Sequence, residues 1–100
     1  MKDSLKNAPP KGLLRTVLDE REKRYGSFEL NASVSQSLKE VLRDTPNWSH
    51  LTDAQRECME MVASKISRIL CGDPFYADSW MDIEGYVRRA REGILPKVPK

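Results

Sequence analysis

The chain has 100 residues, the size of a single domain, and its 39% hydrophobic and 32% charged content fits a globular protein better than a disordered one. Uninterrupted apolar runs are only a few residues long, too short to span a bilayer, and no apolar stretch follows the opening residues, so neither a membrane span nor a secretory signal is expected. The net charge of +2 is held by the ends: residues 1–12 carry +2 and residues 94–100 another +2, which leaves −2 for residues 13–93. A folded body with that balance lacks the basic, aromatic-interleaved face of a nucleic-acid binder. The expectation is a cytoplasmic protein.

Residues 1–12, with Pro9, Pro10 and Gly12, predict a flexible lead-in. A helix is expected from about Leu13, with Leu14, Val17 and Leu18 as its apolar stripe and Lys23 and Arg24 in its last turn. Gly26 is placed to end it. A second helix should begin between Phe28 and Ser33, because Val34, Leu38, Val41 and Leu42 share one face. Pro46 stops it. Thr52 and Gln55 form the capping box of a third helix. Its Met59, Val62, Ile66 and Ile69 mark the most buried element, and Gly72 and Pro74 end it. A fourth helix is expected over about Asp78 to Glu92, with Trp80, Ile83, Tyr86 and Val87 inward, then Gly93 and a tail over 94–100. No window shows sustained strand alternation. The fold class is all-α, a compact bundle of about four helices with flexible termini and one domain over 13–93.

The cysteines give no disulfide framework. Cys58 and Cys71 fall on one predicted helix about 20 Å apart, against the roughly 7 Å that a bridge tolerates. His50 has no partner at a zinc spacing, and the five glycines are isolated rather than gathered in a phosphate loop. The strongest enzymatic candidates are four carboxylates. Glu57 and Glu60 share one helix face and Asp78 and Asp82 another, so an antiparallel pair of helices would let them hold a magnesium ion. The competing reading makes them a solvated face, with Asp78 as a helix cap and Lys65 and Arg68 paired to Asp78 or Asp82. The segment from Asp73 to Trp80 sets Phe75 and Tyr76 among acidic residues, a composition suited to a protein interface.

Tyr25 and Gly26, the Lys65-x-x-Arg68 pair and the run Asp78-x-Trp80-x-Asp82-x-x-Gly85-Tyr86 resemble a family of small phage and prophage proteins, some of whose relatives are MazG-like. The resemblance covers about residues 13–92 and implies an all-α fold of mobile-element origin. MazG-type enzymes use a denser set, two adjacent glutamates with a third on one helix; this chain offers only Glu57 and Glu60 there. In size and character the chain also resembles anti-CRISPR inhibitors of the type I-F surveillance complex. That likeness implies a non-enzymatic, cofactor-free inhibitor, monomer or homodimer, that binds the host CRISPR–Cas surveillance complex and blocks target DNA binding without touching nucleic acid or membrane. The residues expected to meet the partner are Asp73, Phe75, Tyr76, Asp78, Asp82 and Glu84. The alternative is a magnesium-dependent, MazG-like nucleotide pyrophosphohydrolase or nucleotide-binding protein with Glu57, Glu60, Asp78 and Asp82 as metal ligands.

Overall fold

A computed structural model describes residues 11–94. The described residues form four α-helices and one 3-10 turn: α1 (Lys11–Tyr25), α2 (Phe28–Arg43), the turn (Trp48–His50), α3 (Asp53–Cys71) and α4 (Ala77–Glu92). No strand occurs among the described residues. The all-α expectation is met. Of the expected lead-in over 1–12 and tail over 94–100, residues 1–10 and 95–100 lie outside the described residues; Lys11 and Gly12 are helical, so α1 opens two residues before its expected start.

Local chemistry sets the helix ends. Gly26 takes φ +80°, a left-handed conformation open to glycine, and its N–H donates to the Glu22 carbonyl at 2.7 Å. Ser27 then caps α2, its hydroxyl accepting from the Leu30 N–H at 3.2 Å. Both arms of the capping box on α3 are made: the Gln55 N–H donates to Thr52 Oγ1 at 3.1 Å and the Thr52 N–H to Gln55 Oε1 at 2.9 Å. Thr52→Ala removes one arm and is expected to cost about 1 kcal/mol, read from the thermal midpoint. The cap of α4 differs from the sequence reading. Tyr76, not Asp78, is the capping residue, and Asp78 sits in the first helical turn, where its charge complements the helix dipole.

α3 is central, packed along both α2 and α4, and α1 meets it less extensively. The helices cross on small residues. Ser35 on α2, Ala63 and Ser67 on α3 and Ser79 on α4 are the buried positions, and the Ser67 hydroxyl donates to the Asn31 backbone carbonyl at 2.8 Å. Side chains this short let the helix axes approach closely.

The expected apolar core is not where the stripes pointed. Ala63 is the single buried hydrophobic among the described residues, while Leu14, Leu18, Val41, Leu70 and Trp80 are each more than half exposed. The layer of helices is open on its apolar sides. Cys58 and Cys71 are both free thiols.

Candidate functional site

The link between α3 and α4 is a tight turn built on Asp73. Its carboxylate accepts the Phe75 N–H at 2.9 Å, an Asx-type bond, and its own N–H donates to the Arg24 carbonyl at 2.9 Å, tying the turn to the end of α1. Two neighbouring rings in this turn differ in their surroundings. Phe75 stands out at 89% exposure, while Tyr76 is half-buried. Trp80, one turn into α4, donates its indole N–H to the Pro74 carbonyl at 2.8 Å. That bond fixes the ring against the turn yet leaves it 55% exposed. Pro74, Phe75, Ala77, Trp80, Met81 and Glu84 line an open concavity of about 510 Å³. Aromatic and methionine side chains thus sit at the surface beside the acidic groups of Asp73 and Glu84.

Of the six residues expected to meet a partner, Asp73, Phe75 and Glu84 are exposed on this surface. Tyr76 is half-buried and engaged by neighbouring side chains. Its ring packs edge-on to Tyr25, centroids 6.3 Å apart, with the Arg24 guanidinium 5.1 Å from its own centroid. Its hydroxyl donates to Asp78 Oδ2 at 3.0 Å. That hydrogen bond favours the neutral phenol and, with desolvation, pushes the Tyr76 pKa above its ordinary value. Asp82 reaches back to α3, with Oδ2 2.8 Å from Lys65 Nζ. Trp80 and Met81 complete the exposed patch, although the apolar stripe of α4 points Trp80 inward.

The four carboxylates of the alternative reading are drawn apart by other partners. Glu60 forms an ion pair with Arg43 of α2, Asp82 with Lys65, and Asp78 accepts from Tyr76, while Glu57 is exposed. Among the described residues no group of three or more histidine, cysteine, aspartate or glutamate side chains is placed to hold a metal ion. The Lys65 side chain is only 12% exposed, so Asp82→Ala strands a mostly buried ammonium. The cost expected is about 1–2 kcal/mol by thermal denaturation, below that of a fully buried pair because Asp82 itself is half in solvent.

Arg68 departs from the expected ion pairing with Asp78 or Asp82. Its guanidinium lies 4.6 Å from the Tyr25 ring centroid, and Arg21 approaches the same ring at 5.4 Å. Together with Ser27 and Asn31 they border an open basin of about 520 Å³, which Glu22 and Glu29 also line. His50 lies in the 3-10 turn, its N–H donating to the Asn47 carbonyl at 3.0 Å.

No protein-family model, curated protein or solved structure matches the chain.

Proposed function

We propose that this chain works by stoichiometric binding to another protein, without catalysis, through the Phe75–Trp80–Met81 surface. The observation that carries the reading is the outward Phe75 beside a Trp80 held at the rim by its bond to the Pro74 carbonyl. A solvated aromatic pair of which the Trp80 ring is already held gives large contact area at reduced entropic cost on binding. The carboxylates of Asp73 and Glu84 flank it and favour a basic partner surface, which charge helps to find. The first partner to test is a type I-F CRISPR–Cas surveillance complex, whose DNA-holding surfaces are basic in the way this patch requires; the phage-protein resemblance supports that choice. The protein should co-purify with the assembled complex and lower its target DNA binding. Failure to bind the complex, or phage left unprotected from it, rejects that partner.

A second reading is nucleotide binding at the Arg21–Tyr25–Arg68 basin, favoured by a ring and two guanidinium groups around one concavity. Glu22 and Glu29 offset that positive charge, which weakens the case for a polyphosphate. Binding of a nucleotide to the purified chain, lost on Arg21→Ala, would support this reading over the protein-binding one.

A further inference from the structure

We propose that a second copy of this chain covers the apolar face shared by α2 and α3, making a homodimer with a four-helix core. Two grooves run along that face. One, about 210 Å³, lies between α2 and α3 and is bordered by Leu38, Val62 and Ile66; the other, about 430 Å³, continues past Trp48 and Leu51 to Ile94. Val41, Leu42 and Met59 line both, so the grooves form one strip with these three at its middle. Val41 is 67% exposed in the single chain.

Three features point to a second copy as the occupant. The first is the strip's own exposure: Val41 at 67% and Met59 at 41% stand at its middle, and an interface there removes this apolar surface from water. The second is charge. No charged side chain lines either groove, so two copies meet there without like-charge repulsion, whereas the Phe75 surface has carboxylates beside it and opposes self-pairing. The third is architecture. α2 and α3 pack side by side with apolar residues on one common side, and a two-fold axis through Val41 and Met59 would stack two such layers into a helical bundle. Burial between copies supplies the core that one chain, with Ala63 its single buried hydrophobic among the described residues, does not make. This face is separate from the Phe75 surface, so the inference does not depend on the binding function proposed above.

The test is the molar mass of the full chain by light scattering and sedimentation, with thermal unfolding over a range of about 1–100 µM. The expected mass is twice the 11.5 kDa of one chain, with a melting temperature that rises with concentration. Val41→Asp should return the mass to that of one chain, and Phe75→Glu should leave the dimer intact. A wild-type chain that is monomeric at the top of the range, with a melting temperature independent of concentration, overturns the proposal. So does a Val41→Asp protein that stays dimeric, or a wild-type assembly of three or more copies. If Val41→Asp does not fold, the wild-type mass and the concentration dependence of its melting decide the matter alone.

Discussion

Gly26→Ala is expected to lower the melting temperature by more than about 10 °C, from a loss of about 3 kcal/mol. Two separate costs add at this position. The residue sits at φ +80°, where a side chain is strained, and a Cβ built there falls 2.7 Å from the Cys71 carbonyl carbon. The obstruction is backbone, so no rotamer change relieves it. Gly72 is the reciprocal case: a Cβ there falls 2.5 Å from Tyr25 Cα. The ends of α1 and α3 therefore touch backbone to backbone, and the Asp73 N–H to Arg24 carbonyl bond secures the contact. Gly85 supplies the internal control. It lies within α4, and a Cβ added there meets nothing within 4 Å, so Gly85→Ala should stabilise the protein by about 0.5–1 kcal/mol through helix propensity. Circular-dichroism melts of the three alanine variants check both signs; equal small effects at Gly26 and Gly85 would refute the close junction.

Phe75→Glu is expected to weaken partner binding by about 100-fold or more while leaving the fold intact. The residue is 89% exposed, so its substitution disturbs little in the free protein, with an expected change in stability within about 0.5 kcal/mol. In a complex the same ring would be buried, and a carboxylate in its place would be desolvated without a partner. Trp80→Phe is the subtler companion: it keeps most of the ring area and loses the N–H bond to the Pro74 carbonyl, so the turn is less firmly held. A titration followed by calorimetry, beside a melting curve for each variant, separates lost contact from lost fold. Binding unaffected by Phe75→Glu would place the interface elsewhere.

Helix boundaries were largely legible because they rest on short-range chemistry. Thr52 and Gln55 are three residues apart, and their reciprocal bonds need no other part of the chain. Gly26 likewise ends α1 through its own backbone conformation. What covers each helix was not legible. The spacing of Leu38, Val41 and Leu42 shows that they share a face, and they do line one groove, but periodicity carries no information about whether that face meets another helix, a second chain or water. Treating every such stripe as core put Val41 and Trp80 inside, and both are more than half exposed. The site divided in the same way. The segment from Asp73 to Trp80 was found by composition, yet the exposure of Phe75 and the partial cover of Tyr76 go with one bond to Asp73 and a ring contact with Tyr25, far away in the sequence. Lys65 pairs with Asp82 as its position across the helix interface suggested, whereas Arg68 is drawn to Tyr25, a partner that only the α1–α3 junction brings near.

The measurement that bears most directly on the binding function is a titration of the purified chain against an assembled type I-F surveillance complex, reading the complex's affinity for its target DNA. DNA binding is expected to fall to a plateau at a fixed molar ratio, with no nucleotide consumed, and Phe75→Glu is expected to remove the effect. DNA binding that stays unchanged at saturating protein, or that falls equally with the Phe75→Glu variant, would contradict the proposed function.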